Sequence, residues 1–201
     1  MRKLAKPIVF VLSLLPLGYL VFAVSTGRTS ANPAEDIQLS TGIWTLRFLL
    51  ITLAITPARR VTRWNVLITY RRMFGLFTFF YASVHLFSYL AFDRFFAFGE
   101  IAEDVAKRPF ITAGMAAFVL MVPLALTSTK GWIRRLGRRW QTLHRLIYLS
   151  AIAGCLHFIW KVKVVIGEPV YYAAILAVLL AFRVLWRLRS TTPARRQPAE
   201  A

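Results

Sequence analysis

Six apolar segments dominate the chain, at residues 7–24, 42–57, 73–92, 110–127, 141–160 and 170–187. Each holds 16–20 residues. At about 1.5 Å per residue, that suffices to cross a hydrocarbon layer roughly 30 Å thick, the shortest helped by flanking aromatics. Backbone groups find no water in lipid and must satisfy one another, which only helices or closed barrels achieve. The alternating short strands of a barrel are absent. The expected fold is an all-α integral membrane protein, a six-helix transmembrane bundle.

Charge sets the orientation. The chain carries 26 Lys+Arg against 8 Asp+Glu, and so basic a protein invites a nucleic-acid reading. The cations lie between apolar runs, however, so no nucleic-acid partner is expected and the surroundings are membrane lipid. Eighteen of them fall before the first span, after the second and fourth, and at the end of the chain. Six fall on the other side: Arg28, Arg94, Lys107, Arg108, Lys161 and Lys163. Seven acids, Glu35, Asp36, Asp93, Glu100, Glu103, Asp104 and Glu168, share the side with the fewer cations. The positive-inside rule then places both termini in the cytoplasm. The first segment reads as a retained span rather than a cleaved secretory signal, for no small-x-small cleavage site follows it. Residues 1–190 form one membrane domain, and residues 191–201, TTPARRQPAEA, read as a disordered cytoplasmic tail. The single cysteine, Cys155, lies in an apolar run, so no intramolecular disulfide can form, and the lack of a cysteine cluster argues against iron–sulfur or structural zinc sites.

All three histidines, His85, His144 and His157, lie inside predicted spans, where an imidazole is costly. His85 stands thirteen residues beyond Arg72, about 20 Å from the inner edge. His144 lies about 8 Å and His157 about 27 Å beyond Arg139 by the same rise. His85 and His157 thus share the outer half, while His144 belongs to the inner half. Two imidazoles at one depth on different helices can hold a haem between them, and with both axial positions filled its task is electron transfer. Three histidines at two depths cannot converge on one tetrahedral zinc. Seven aromatics around His85, from Phe74 to Tyr89, suit a haem pocket and equally suit lipid packing. Thirteen residues leave His144 and His157 about 140° apart on an ideal helix. A bulge near Gly154 corrects that phase; otherwise His144 faces a different neighbour.

Arg47 and Arg145 are two cations inside spans, readable as snorkelling or as partners of a propionate or flavin phosphate. Lys161 and Lys163 are placed to meet outer propionates. The stretch KGWIRRLGRRW, Lys130 to Trp140, either lies on anionic lipid or docks an acidic soluble partner. No GxGxxG motif or soluble nucleotide-binding segment is present, so electrons are expected to come from, and leave to, other molecules. Two rival classes stand beside the cytochrome: a free-standing transmembrane metal or superoxide oxidoreductase, and a transporter using histidines for metal or protons.

TGIWTLRFLLITLAITPARR, YRRMFGLFTFFYASVHL and KGWIRRLGRRWQTLHRLIYLSAIAGCLHF together resemble the bacterial MsrQ (YedZ) family over about residues 8–190. That family supplies the haem-binding membrane subunit of a periplasmic methionine sulfoxide reductase system, within the wider ferric-reductase-like transmembrane group. The resemblance implies a b-type cytochrome in the bacterial inner membrane. Its partner would be a periplasmic molybdopterin-containing catalytic subunit of the MsrP type, in a heterodimer that repairs oxidised periplasmic proteins. Its donor would be membrane quinol or a cytosolic flavin reductase, and FMN is implied as a further cofactor. The family's histidines map onto His85, His144 and His157. Larger relatives hold two stacked haems on four histidines. Here the position thirteen before His85 is Arg72, so the implied count is one haem b or two. His144 either binds an inner cofactor with an unusual partner or shares one haem with the other two. Arg72 and Arg145 join the histidines as cofactor-binding candidates.

Overall fold

The computed structural model describes residues 2–162 and 167–191. Helices occupy Arg2–Ser25 (α1), Pro33–Thr62 (α2), Ile68–Ser88 (α3), Phe98–Lys107 (α4), Pro109–Leu126 (α5), Lys130–Leu136 (α6), Arg138–Leu143 (α7), Leu146–Val162 (α8) and Glu168–Thr191 (α9). A 3-10 turn at Asn65–Leu67 leads into α3, and a wide π turn at Tyr89–Asp93 extends it. Among the described residues, six stretches are long and apolar enough to cross a membrane: Ala5–Ser25, Pro33–Thr62, Asn65–Asp93, Pro109–Leu126, Arg138–Val162 and Glu168–Arg189. Thr191, the first residue of the expected disordered tail, ends α9; the rest of that tail and Lys163 lie outside the described residues.

Neighbouring spans run antiparallel. The start of α2 meets the end of α3 where Gln38 contacts His85, and the start of α5 meets the end of α8 where Phe110 contacts His157. Seven acids therefore collect at one end, the acidic end, and the arginines of the 59–72, 134–139 and 183–189 stretches collect at the other, the basic end.

Helical spacing builds the core. Leu46, Leu49, Leu50 and Leu53 form one stripe on α2, which packs against Ala151, Cys155 and Phe158 of α8 and Leu176 of α9. In lipid, close approach needs small residues and shared hydrogen bonds more than hydrophobicity. The α5–α8 seam follows that rule. Ala117 and Ala151 are buried there, and fully buried Ser150 donates to the Ala117 carbonyl at 2.9 Å. Arg183 ties α9 to α2 by donating to the Leu53 carbonyl at 2.5 Å and to the Tyr148 hydroxyl of α8 at 2.9 Å.

Tyr81 joins α1 to α3. Its hydroxyl donates to the Ser13 carbonyl at 2.9 Å and accepts from the Leu17 amide at 3.3 Å. Ser13 and Leu17 are four apart on α1, so the phenol stands inside the helical ladder, next to Pro16, which cannot donate to it.

The fifth span differs from the expected single helix. It breaks at His144–Arg145 between α7 and α8, where the amides of Arg145, Ile147 and Tyr148 bond three residues back. The predicted bulge near Gly154 is absent; α8 is regular there, and a Cβ on Gly154 would lie 3.5 Å from Leu46. The change in helical phase between the two histidines occurs at His144 itself.

Candidate cofactor site

His85 and His157 come together. Their ring centroids lie 6.0 Å apart with planes at 77°, so the depth match read from the sequence is realised in space. That separation would leave room for a metal held by both rings at about 2 Å from each nitrogen.

The backbone fixes which nitrogen each ring presents. His85 Nδ1 lies 2.9 Å from the Gln38 carbonyl, and His157 Nδ1 lies 2.7 Å from the Phe110 carbonyl. A carbonyl only accepts, so both Nδ1 atoms carry the proton and both Nε2 atoms keep a lone pair. Such a backbone bond is the usual orienting partner of a metal-binding imidazole. His144 repeats the pattern at the basic end, with Nδ1 3.1 Å from the Trp140 carbonyl. Its ring stacks on Trp140 at 3.8 Å between centroids. The Leu124 carbonyl and the Arg71 charge lie near it, yet its buried Nε2 has no hydrogen-bond partner.

Two glycines make room for the outer pair. A Cβ on Gly42 would stand 3.1 Å from His85 Cε1, and one on Gly114 would stand 2.7 Å from His157 Nδ1. The rings border a cavity of about 250 Å³ between α2, α3, α5 and α8. Its walls are largely apolar, with Ile43, Leu46, Leu49, Leu86, Met115 and Phe118 among them, and its mouth carries Glu35, Asp93, Arg94, Arg108 and Lys161. The aromatics of the third span mostly face elsewhere. Phe77 and Tyr81 pack on Phe48 and α1, Phe80 and Phe87 are exposed, and only Tyr89 lines the cavity.

Buried Asp104 organises the mouth. Tyr89 donates to its Oδ2 at 2.7 Å, Arg94 Nη2 pairs with the same oxygen at 2.5 Å, and Arg108 Nε pairs with Oδ1 at 3.0 Å. Burial pushes the Asp104 carboxyl up; the Tyr89 hydrogen bond and the charges of Arg108 and Arg94 outweigh it and hold the group below the usual carboxylate range. Arg94 follows the π turn directly, and the next residues, Phe95 and Phe96, are both left-handed at φ 45° and 59°. Non-glycine residues take that conformation at a cost of about 1–3 kcal/mol each, and here it folds the chain back so that Arg94 reaches α4.

The remaining candidates separate. Arg72 is exposed, and Arg71 is the arginine beside His144. Arg145 is exposed at the α7–α8 turn. Lys161 lies over the Phe110 ring at 5.9 Å and lines the cavity mouth. Arg47 stacks on Trp44 and donates to Tyr172, which is four residues into α9, so it sits toward the acidic end as an interfacial cation. Sequence reasoning missed Gly42, Gly114, Gln38 and Arg94. Among the described residues no group of three or more His, Cys, Asp or Glu side chains could hold a metal ion.

A membrane bundle that brings two imidazoles to the wall of one largely apolar cavity has the form of a cofactor-binding membrane protein. The model of the family described as "Ferric reductase like transmembrane component" matches residues 41–155. A protein of Herminiimonas arsenicoxydans named "Protein-methionine-sulfoxide reductase heme-binding subunit MsrQ" is 52% identical over 186 residues, 91% of this chain and 85% of its own. Proteins of the same name from Xanthomonas campestris pv. campestris (strain B100) and Ralstonia nicotianae are 54% and 51% identical, over 85% and 89% of this chain and 79% and 83% of theirs. The chain belongs to the MsrQ family of ferric-reductase-like transmembrane proteins. No solved structure matches it.

Proposed function

We propose that the chain is a b-type cytochrome subunit in which His85 and His157 hold haem, carrying electrons to a separate catalytic subunit that reduces methionine sulfoxide. The observation that supports this most is the pair itself: rings 6.0 Å apart, each with Nδ1 committed to a carbonyl and Nε2 free at the cavity. Haem with both axial positions taken by histidine supplies one-electron transfer and no open site for oxygen or substrate. The protein's part is to orient the imidazoles, make room through Gly42 and Gly114, and keep water out with an apolar wall. The relatives' printed names support haem as the cofactor and a methionine sulfoxide reductase as the assembly.

Charge supports the direction of transfer. With eighteen cations at the basic end and in the sequences flanking it, that end and both termini face the cytoplasm of a bacterial inner membrane. The His85–His157 cavity then opens toward the periplasm, where an MsrP-type partner takes the electrons. His144 marks the entry side, where quinol or a cytosolic flavin reductase delivers them. FMN rests on the family resemblance alone.

The test is reoxidation of the reduced, purified protein. Adding the periplasmic partner with a methionine-sulfoxide peptide should return the haem spectrum to the oxidised form, and neither addition alone should. Reoxidation by ferric chelates or oxygen in the absence of the partner, with none through it, would favour a free-standing oxidoreductase.

A further inference from the structure

Two residues of the cavity wall hold buried donors without partners. Gln38 Nε2 and Arg94 Nε are both shielded from solvent and make no hydrogen bond, and both residues line the cavity beside His85 and His157. A buried polar atom left unsatisfied costs about 1–3 kcal/mol, so two in one cavity call for an acceptor there. The apolar wall offers none, and neither donor is bonded to the mouth acids Glu35 and Asp93. The macrocycle assigned to this cavity under the proposed function carries two carboxylates, which cannot lie unpaired against such a wall.

We propose that Gln38 and Arg94 bind the carboxylate substituents of the macrocycle held by His85 and His157. Gln38 serves the site twice, giving its backbone carbonyl to His85 Nδ1 and its side-chain amide to the cavity. Arg94 is set in place before any ligand arrives. Its Nη2 pairs with Asp104 at 2.5 Å and its Nη1 with Glu100 at 3.3 Å, which leaves Nε for the cavity. The two left-handed phenylalanines that follow fold the chain so that this fork reaches the mouth. Asp104 is the positioning residue. The acids that share the mouth, Glu35 and Asp93, are exposed and can turn to solvent.

The inference rests on the haem reading, and one experiment separates the two. The detergent-purified full chain is loaded with haem b or with its dimethyl ester, and loss to an excess of apoglobin scavenger is timed. With haem b, Gln38→Met should lose its cofactor about tenfold faster than wild type, and Arg94→Gln about a hundredfold faster, as expected for hydrogen bonds to charged groups. Arg94→Lys should fall between Arg94→Gln and wild type. With the ester all four proteins should match. Gln38→Met removes an orphaned donor, so the cofactor-free protein should melt at or above the wild-type temperature, which separates ligand loss from misfolding. Equal loss rates with haem b overturn the inference, as does an acceleration that persists with the ester. A wild type that takes up no haem removes the haem reading and this inference with it, whereas a stable wild type with indifferent variants removes only the inference.

Discussion

Gly114→Ala is the sharpest small perturbation of the site. The added methyl would stand 2.7 Å from His157 Nδ1, 3.1 Å from Cε1 and 3.3 Å from Cγ, so the ring or one of the helices must move. Overpacking of this kind costs about 1–3 kcal/mol. A ring that swings clear also loses its 2.7 Å bond to the Phe110 carbonyl, worth about 1 kcal/mol more. The combined penalty of roughly 2–4 kcal/mol weakens cofactor binding about 30- to 1,000-fold. Freed from the carbonyl, Nδ1 no longer fixes which nitrogen faces the cavity, so the remaining haem should lose its paired-histidine spectrum. The assay is haem content per protein and the reduced optical spectrum of the purified variant. Gly154→Ala is the control, since its methyl meets Leu46 at an ordinary 3.5 Å. Gly114→Ala with the haem content and spectrum of Gly154→Ala would refute the account of how His157 is held.

Three further outcomes are expected. Asp104 has a depressed pKa, so its pairs stabilise the fold fully above the ordinary carboxylate value of about 4, and that stabilisation is lost as pH falls below it. Asp104→Asn should therefore melt below wild type near neutral pH, with the gap closing on acidification; a gap that widens in acid contradicts the assignment. Tyr81→Phe leaves the Ser13 carbonyl and Leu17 amide without the phenol between them. It should lower stability by about 1–2 kcal/mol in thermal unfolding, and an unchanged melting temperature would show that α1 does not depend on this contact. Arg134 and Arg135 are exposed on α6. Charge reversal of both should slow reduction by an acidic soluble donor without loss of haem, with wild-type rates falling as salt rises; unchanged stopped-flow kinetics would discard this surface as the dock.

The spans were legible because lipid imposes a length on apolar runs that no local feature can override. Their ends were not. Polar residues 33–41 continue α2 beyond its apolar stretch because Pro33 opens the helix and the Asn32 side chain caps Glu35. Helix α4, short and polar, lies outside the six apolar runs, yet it supplies Asp104, the anchor of the cavity mouth. The His85–His157 pairing followed from depth along parallel spans, a one-dimensional quantity. Gly42 and Gly114 required knowledge of which helix faces which histidine, and nothing local marks them. Arg94 looked like one outer-loop cation among six; its role depends on a π turn and two left-handed phenylalanines that no propensity foretells. His144 was expected inside a continuous helix, and the helix breaks at that residue.

The claim that His85 and His157 share one haem is tested most directly by low-temperature electron paramagnetic resonance, with haem quantitation, on the oxidised full chain and its three His→Ala variants. The account predicts a low-spin paired-histidine signal in wild type that disappears in both His85→Ala and His157→Ala and persists in His144→Ala. A signal that survives loss of either His85 or His157, or that disappears with His144 alone, would contradict it.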